Sequence, residues 1–316
     1  MNQRPKILHL EENHDSLVSD LSKLGFDNIL SYESDISEIQ KLVVDVDGII
    51  IRSRLTLNDD ILEAAKSLKF IARVGSGLEN IHLSHKLRSK VQLIAAPEGN
   101  CHSVGEHVCG MALSLLHRLH AANNSVKNQS WLREKYRGTE IGQKTIGIIG
   151  YGHTGKATAK KLSGFDCKVI YHDLLSNIGD AFAREVTLEQ VFDQADIISL
   201  HVSENPTSFH LVNEYFINRM NKSFWLINTS RGKVVNTHDL VVGLKSGKIL
   251  GVGLDVLEYE SKGFQNVFSQ KNLSKDLNYL IESDNVLLSP HIAGWTTESH
   301  YKLAQTIIKK IKRLYQ

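Results

Sequence analysis

Cysteine and proline are scarce in this sequence, and the scarcity excludes several kinds of protein. The 316 residues include three cysteines and four prolines. The cysteines, Cys101, Cys109 and Cys167, are odd in number and show no CxxC spacing. This excludes a disulfide framework and argues against a structural zinc site. We therefore predict reduced thiols, no bound metal and a cytoplasmic protein.

Long apolar runs and a strong net charge are also missing. The apolar stretch at 42–51 is interrupted by two aspartates, and no run approaches the roughly 18 apolar residues that a membrane helix needs. The first residues, MNQRPKILHLEEN, lack the apolar segment of a signal peptide. The net charge is +2, without a basic block of the type that binds nucleic acid. Neither a membrane nor a nucleic acid is therefore an expected partner.

The first hundred residues alternate short apolar runs with amphipathic stretches. Five runs are predicted to be buried strands: KILHL (6–10), NIL (28–30), DGIII (47–51), KFIARV (69–74) and VQLIA (91–95). The stretches between them have helical spacing, and Asn58 is placed to cap the third helix, with Asp59 and Asp60 in its first turn. This alternation predicts an α/β fold, in which helices cover both faces of a parallel sheet.

A second series of strands follows a long helical pattern at 104–128. Its apolar runs are KTIGIIG, KVIYHD, DIISLHV, SFWLINTS, ILGVGLDV and NVLLSP. The last is predicted to be a buried strand that ends at Pro290, and residues 297–316 form an amphipathic helical pattern. The length and the two series together predict two domains.

The strongest local motif is GYGHTG at 150–155, between an apolar strand and a helical pattern. Gly150 permits a tight turn, Gly152 lets the backbone approach a pyrophosphate, and Gly155 allows close packing of helix and strand. The helix N-terminus adds N–H groups and a dipole that attract the anion. The motif in this context predicts a dinucleotide-binding turn.

An acidic residue at the end of the next strand indicates which dinucleotide binds. Asp173 lies 18 residues beyond Gly155, close to the interval expected for a carboxylate that accepts from ribose hydroxyls. Its charge would repel a 2′-phosphate, and Leu174 and Leu175 follow where an NADP enzyme would have arginine. The alternative is a solvated carboxylate at a strand end. NAD is the predicted cofactor.

Polar side chains follow three of the later strands. Arg231 lies in LINTSRGKVV, Asp255 and Glu260 in LDVLEYE, and His291 in SPHIAGWT. The carboxyl ends of parallel strands line one crevice, so these residues can meet. Beside a nicotinamide, the histidine would exchange a hydroxyl proton, the glutamate would orient the imidazole, and the arginine would bind a carboxylate. A hydrogen-bonded structural histidine is the alternative for the histidine taken alone.

In this order the segments resemble the D-isomer-specific 2-hydroxyacid dehydrogenases, and among them the phosphoglycerate dehydrogenase branch. The resemblance covers nearly the whole chain, from GIIIRSRLTLNDDIL, RVGSGLENI and GNCHSVGEHVCGMALSLL through IGIIGYGHTGK to INTSRGKVV, GLDVLEYE and NVLLSPHIAGWT. It implies two Rossmann-like or flavodoxin-like domains, each a doubly wound parallel sheet, with an active-site cleft between them. It also implies a discontinuous substrate domain, 1–97 plus 291–316, and an NAD-binding domain, 98–290.

The resemblance assigns roles to individual residues. Arg231, Glu260 and His291 match the catalytic triad of the family. Cofactor contacts are expected at Gly150, Gly152, His153, Thr154, Gly155, Asp173, Thr229, Ser230, Asp255 and Gly294. Asp255 is expected to contact the nicotinamide carboxamide. The backbone N–H groups of Val74, Gly75, Ser76 and Gly77 are expected to hold the substrate carboxylate, since successive amides of a glycine turn can form an anion nest.

The segment IRSRL at 51–55 bears on the identity of the hydroxy acid. Phosphoglycerate dehydrogenases carry a similar RSR, here Arg52, Ser53 and Arg54, and such side chains suit a phosphate. Arg133 resembles a position that contributes from a neighbouring subunit. The expected reaction is oxidation of 3-phospho-D-glycerate to 3-phosphohydroxypyruvate, as in serine biosynthesis. Alternatively the arginines form surface ion pairs and the substrate is unphosphorylated, of the hydroxypyruvate, glyoxylate or D-lactate type.

Several features depart from the family pattern or extend it. Ser261 stands where the family usually has proline, and the long segment 261–284 is expected to contain an extra helix. The sequence stops after the returning helix, so the regulatory domain of many phosphoglycerate dehydrogenases is not expected. The region 104–120 matches the dimerisation region and predicts a homodimer. The alternative from another class is an NAD-sensing, corepressor-like scaffold, which the intact triad disfavours.

Overall fold

The computed structural model describes residues 4–260 and 273–316. They form two compact units. The first unit contains residues 4–100 and 295–316, and the second contains residues 101–260 and 273–294. The first unit is therefore assembled from both ends of the described chain. The boundaries expected from the sequence, at 97 and 290, lie close to these limits.

The first unit is built around a parallel sheet. Its strands are β1 (Lys6–His9), β2 (Asp27–Leu30), β3 (Gly48–Ile51), β4 (Leu57–Asn58), β5 (Phe70–Arg73), β6 (Ile81–His82) and β7 (Gln92–Ile94). Its first four helices are α1 (Ser16–Lys23), α2 (Ile36–Leu42), α3 (Asp59–Leu62) and α4 (His85–Arg88). The main sheet has the order β2-β1-β3-β5-β7, and β4 pairs with β6. The central strand β3 is buried at all four positions, as its unbroken apolar sequence requires.

The helical pattern at 104–128 forms two helices, so the expectation of one continuous helix was wrong. Helix α5 (Pro97–Leu116) begins in the first unit and continues into the second, and α6 (Leu119–Lys127) follows. Between them Arg118 has a left-handed φ of 53°. The carbonyl of Leu116 accepts a hydrogen bond from the N–H of Thr139 at 2.8 Å. A long-range hydrogen bond thus occupies the end of the first helix.

The second unit contains a larger parallel sheet. Its strands are β8 (Thr145–Ile149), β9 (Lys168–His172), β10 (Arg184–Glu185), β11 (Ile197–Leu200), β12 (Phe224–Asn228), β13 (Ile249–Leu254) and β14 (Val286–Leu288). Its further helices are α7 (His153–Leu162), α8 (Leu188–Gln194), α9 (Glu214–Arg219), α10 (Thr237–Lys245) and α11 (Lys275–Glu282). The strand order is β10-β9-β8-β11-β12-β13-β14. Strand β14, expected to be buried, is instead an edge strand on which Leu287 and Leu288 are only partly buried.

The register of this sheet brings several loops to one edge. One row across the sheet contains Ile149, Leu200, Asn228, Leu254 and Leu288. The residues that follow them start together at the carboxyl edge: Gly150, His201, Thr229, Asp255 and Ser289. In open parallel sheets this edge is where ligands bind.

Helix α12 (Thr297–Leu314) completes the first unit. It begins with a capping box in which Thr296 and Ser299 satisfy each other's backbone N–H groups. Its buried face packs in the same apolar cluster as residues of β1, β3 and β5, and consists of Leu303, Ala304, Ile307, Ile308 and Ile311. Full burial of each isoleucine contributes about 1.5–3 kcal/mol.

The structure contains several of the features that the sequence predicted. The parallel α/β architecture is confirmed, as is the cap of α3, where Asn58 accepts from the N–H of Ile61. An extra helix, α11, lies within 273–284, whereas 261–272, including Ser261, are outside the described residues. In the described part of the chain, no helix is long and apolar enough to cross a membrane, and no cluster of His, Cys, Asp or Glu could hold a metal.

Candidate active site

The loop after β14 presents His291 against a glutamate. The Nδ1 atom of His291 lies 2.8 Å from Oε2 of Glu260. A carboxylate only accepts, so Nδ1 carries the hydrogen and Nε2 of the neutral ring is left as the proton acceptor. The histidine backbone adopts a left-handed φ of 56°, and its N–H donates to the carbonyl of Asp255 at 2.8 Å. The structure thus holds this imidazole in the tautomer that general-base chemistry needs.

The second carboxylate oxygen of Glu260 is held by the backbone of its own loop, and this loop lies close to the turn that begins at Arg231. Oε1 of Glu260 accepts from the N–H of Leu257 at 2.6 Å. A Cβ on Gly232 would lie 1.9 Å from the carbonyl oxygen of Leu257, so only glycine fits there. The turn that begins at Arg231 therefore packs directly against the loop that carries the glutamate. Nη1 of Arg231 donates to the carbonyl of Ser230 at 2.6 Å.

Asp255 anchors the loop that carries the histidine. Its side chain is 1% exposed, and both of its oxygens are engaged. Oδ1 accepts from Ser289 Oγ and from the N–H of Ile292 at 2.5 and 2.9 Å, and Oδ2 accepts from the N–H of Ala293 at 2.8 Å. Nε2 of His107 lies 3.0 Å from Ser289 Oγ and extends the network. Asp255 thus has a positioning role here, and its expected contact with a carboxamide stays a prediction.

The glycine turn is shaped by close backbone approaches. Gly150 has a φ of 91°, and a Cβ there would lie 2.7 Å from the carbonyl oxygen of His201. A Cβ on Gly155 would lie 2.3 Å from the carbonyl oxygen of Gly150. At Gly152, by contrast, a Cβ would meet nothing within 4 Å. The first and third glycines are thus required by the fold, while the second faces open space.

Asp173 supports this turn from the neighbouring strand. Its Oδ2 accepts from the N–H of Tyr151 at 2.6 Å, and its Oδ1 accepts from the N–H of Leu175 at 2.9 Å. These contacts disfavour the simple solvated carboxylate. Its expected contact with a ribose stays a prediction.

Two stacked tyrosines, one of which belongs to the glycine turn, are neutral side chains. The rings of Tyr151 and Tyr171 stack with centroids 3.9 Å apart, and the hydroxyl of Tyr151 donates to Asp180 at 2.7 Å. Burial is the main cause that raises the pKa of Tyr151, and the hydrogen bond to Asp180 raises it further. Burial likewise raises the pKa of Tyr171 to about 12, and the hydrogen bond to Glu185 is the second cause. Burial lowers the pKa of His201 to about 4. None of these three side chains is therefore charged at neutral pH.

The comparisons with known proteins agree with this geometry. The sequence pattern of the D-isomer specific 2-hydroxyacid dehydrogenase, NAD binding domain, matches residues 109–293. A hydroxypyruvate reductase of Thermotoga maritima is 31% identical over 274 residues, which are 87% of this chain and 86% of that protein. A D-3-phosphoglycerate dehydrogenase of Synechocystis sp. is 31% identical over 283 residues, 87% of this chain and 48% of that protein. The structure of D-2-hydroxyisocaproate dehydrogenase, 26% identical, matches with a TM-score of 0.84 and covers 98% of this chain and 97% of its own.

The chain belongs to the D-isomer-specific 2-hydroxyacid dehydrogenase family. It is an NAD-dependent oxidoreductase, and the fold and cofactor expected from the sequence are confirmed. The chain spans about half the length of the D-3-phosphoglycerate dehydrogenases it matches.

The residues at the carboxyl edge fit NAD. The N-cap residue of α7 is Gly152, which has no side chain to cap the helix. The helix begins with His153 and Thr154, and its N-terminus suits a pyrophosphate. The open space at Gly152 allows the anion to approach. Oγ1 of Thr229 is buried and has no hydrogen-bond partner within the described ranges, which suits a polar group of the cofactor. Ser230 differs, because its N–H and O–H both reach Asn228 Oδ1, at 3.0 and 2.8 Å.

We expect the Gly152→Ala variant to fold normally but to bind NADH about 10-fold or more weakly, because its methyl group would occupy the space over the turn. The matched variant, Gly155→Ala, places a methyl group against the Gly150 carbonyl and should lose about 1–3 kcal/mol of stability. NADH fluorescence titration and urea denaturation measure the two effects. Equal losses of stability in both variants would contradict this interpretation of the turn.

The residues expected to bind substrate lie in the first unit, apart from Arg133. In the turn from Val74 to Gly77, Arg73 Nη1 donates to the Gly77 carbonyl at 3.1 Å, and Ser76 Oγ donates to Asn100 Oδ1 at 2.9 Å. Arg133 is exposed beside a short 3-10 helix of the second unit.

The two arginines of the RSR segment have different environments. Arg54 donates from Nε and Nη1 to the carbonyls of Leu10 and Ser34, at 3.0 and 2.9 Å. Arg52 instead lies over the ring of Trp295. Their roles toward substrate stay predictions, but both of these contacts of Arg54 are to main-chain carbonyls of other residues.

Three supporting residues were missed in the sequence. Asn228 shapes the turn before Arg231, since it donates to the Arg231 carbonyl at 2.9 Å. Gly232 permits the packing against the loop of the glutamate, and a glycine directly after the arginine was an available signal. Glu11 holds the RSR segment from 41 residues away in the chain, and no sequence signal indicates such a contact.

Proposed function

We propose that this dehydrogenase interconverts 3-phospho-D-glycerate and 3-phosphohydroxypyruvate, the reaction that supplies serine biosynthesis. We infer the reaction type from the hydrogen bond of 2.8 Å between His291 Nδ1 and Glu260 Oε2. These two residues lie in loops at the same edge of the sheet as the glycine turn.

Each residue of the site has a definite task in this proposal. When bound at the glycine turn, NAD would supply the acceptor for the hydride that leaves C2 of the hydroxy acid. His291 accepts the C2 hydroxyl proton at Nε2, and Glu260 stabilises the imidazolium that forms. Arg231 binds the substrate carboxylate, a task that suits its planar set of donors. In reduction the imidazolium returns the same proton to the oxygen.

Arg52 supports a phosphorylated substrate. It directly follows β3, and no hydrogen bond within the described residues uses its guanidinium, which lies over the ring of Trp295. A guanidinium matches the oxygens of a phosphate with two parallel hydrogen bonds. Relatives that are named D-3-phosphoglycerate dehydrogenase are 29–31% identical to this chain.

A second candidate substrate is hydroxypyruvate. Arg54 is occupied by the carbonyls of Leu10 and Ser34, so the RSR segment offers one unoccupied guanidinium rather than two. The relative from Thermotoga maritima is named a hydroxypyruvate reductase, and this chain matches 86% of the length of that protein.

The substrate is tested by following NADH absorbance with 3-phosphohydroxypyruvate, hydroxypyruvate, glyoxylate and pyruvate. We expect the wild-type protein to prefer the phosphorylated acid. The Arg52→Ala variant should raise KM for the phosphorylated acid about 10- to 100-fold, because a charged hydrogen-bonded pair is lost. KM for glyoxylate should stay unchanged. Arg313→Ala, which removes an exposed arginine of α12, is the matched control.

The other outcomes of this experiment identify the rivals. A preference for hydroxypyruvate or glyoxylate, unaffected by Arg52→Ala, would reject the phosphorylated substrate and retain the dehydrogenase. NADH binding without turnover of any acid would favour a corepressor-like scaffold.

We also propose a homodimer formed through 104–120 and a cytoplasmic location. The dimer rests on the sequence resemblance, and sedimentation velocity tests it. The location is supported by the odd number of cysteines and the lack of a CxxC spacing, and fractionation of cells tests it.

A further inference from the structure

Arg52 carries a charge that has no direct partner among the described residues, although the charge of Glu11 acts on it. Within residues 4–260 and 273–316, no acceptor receives a hydrogen bond from its guanidinium and no carboxylate pairs with it. The side chain is partly buried, and burial lowers the pKa of the guanidinium, which nevertheless stays protonated at neutral pH. A partly desolvated cation without a direct ion pair is unfavourable, and the attraction of Glu11 offsets the cost of burial only in part. Such a group suits an anion from outside the chain.

The backbone around this arginine is held from within. Oε1 of Glu11 accepts from three consecutive N–H groups, at 2.6–2.8 Å, those of Arg52, Ser53 and Arg54. Nε of Arg73 donates to the Arg52 carbonyl at 3.0 Å. Three converging amides form an anion nest, and Glu11 already fills it. The side chain of Arg52 is therefore the group left to meet an external anion.

Trp295 provides the surface on which that side chain rests. Cζ of Arg52 lies 4.1 Å from the centroid of the indole ring. The indole lies 5.4 Å from the ring of His300, which lies 5.5 Å from the ring of His14. An aromatic face attracts a guanidinium without using its N–H groups, so the five donors remain available.

We propose that Trp295 is a specificity-determining residue, which positions Arg52 so that the enzyme selects 2-hydroxy acids bearing a second anionic group. The inference rests on the proposed function, since it assumes that Arg52 meets the substrate. Trp295 is a positioning residue, because it acts through the arginine. It follows His291 by four positions, so one short segment supplies both the acid–base group and this aromatic surface.

A double-mutant cycle tests the proposal with 3-phosphohydroxypyruvate and with hydroxypyruvate, which lacks only the phosphate. We expect Trp295→Leu to raise KM for the phosphorylated acid about 2- to 30-fold, with kcat and KM for hydroxypyruvate unchanged. Trp295→Phe, which keeps an aromatic face, should retain most of the affinity. In the Arg52→Ala background, Trp295→Leu should have no further effect. Tyr215→Leu, at an exposed aromatic side chain of α9, is the control.

Two results would overturn the proposal. If the effects of Trp295→Leu and Arg52→Ala multiply, the two residues act independently. If KM rises equally for both acids, Trp295 has a general structural role.

A binding measurement separates this inference from the proposed substrate. Titration of the wild-type protein with inorganic phosphate should change its indole fluorescence in a saturable way, and both Trp295→Phe and Arg52→Ala should abolish the change. The signal requires no turnover, so it decides the inference even if the enzyme prefers an unphosphorylated acid. The absence of any change in the wild type, or a change that persists in Arg52→Ala, would refute the role of Trp295.

Discussion

Replacement of His291 by alanine is expected to lower kcat about 10²- to 10⁴-fold while the affinity for NADH is retained. The expectation follows from the geometry, in which Glu260 holds the hydrogen on Nδ1 and leaves Nε2 to exchange a proton. Stopped-flow or steady-state NADH absorbance measures kcat, and fluorescence titration measures NADH binding. Added imidazole should restore part of the activity, because it can supply the missing base.

Two further variants make this prediction specific. In Glu260→Gln, the amide oxygen is expected to keep the hydrogen bond from the Leu257 N–H, which turns the NH₂ toward Nδ1. The ring hydrogen then moves to Nε2, and oxidation should slow about 10²-fold or more. His238→Ala, at an imidazole whose side chain is 71% exposed, should keep full activity. A His291→Ala protein with undiminished kcat would rule out this residue as the acid–base group.

Replacement of Asp255 by alanine is expected to destabilise the second unit by about 2–5 kcal/mol. Two backbone N–H groups and the hydroxyl of Ser289 would lose their acceptor in a buried place, and an unsatisfied donor costs about 1–3 kcal/mol. Urea denaturation without NADH measures the change. Activity should fall as well, since the same carboxylate holds the loop of the histidine.

The control for this variant is Asp284→Ala. The Asp284 carboxylate pairs with Lys135, but its side chain is 48% exposed. Exposed ion pairs contribute little, so its removal should change stability by no more than about 1 kcal/mol. Similar small losses in both variants would show that the buried network around Asp255 does not hold the loop.

Local patterns made much of the fold predictable. The strands follow from short apolar runs, and the cap of α3 follows from Asn58. The glycine turn has a spacing that a pyrophosphate requires, and the family is confirmed by the comparisons. The residues of the expected triad could be chosen because each follows an apolar strand, although their roles remain to be tested by the variants above.

The features that escaped prediction depend on contacts between distant parts of the chain. The break between α5 and α6 involves Thr139, which no helical pattern reveals. The engagement of Asp255 requires a loop more than thirty residues away. Trp295 and Arg52 are separated by most of the sequence, so their stacking becomes visible only in the folded unit.

The first unit contains residues from both ends of the described chain, so its parts are synthesised at different times. Strands β1 to β7 emerge early, but α12 emerges only after roughly 200 further residues. At typical rates of synthesis this delay lasts about 10–40 s. Meanwhile the apolar cluster around Ile7, Ile50 and Phe70, which α12 helps to cover in the finished fold, lacks that helix. We therefore expect the second unit to be able to fold first, and the exposed apolar surface of the first unit to favour aggregation until α12 has emerged.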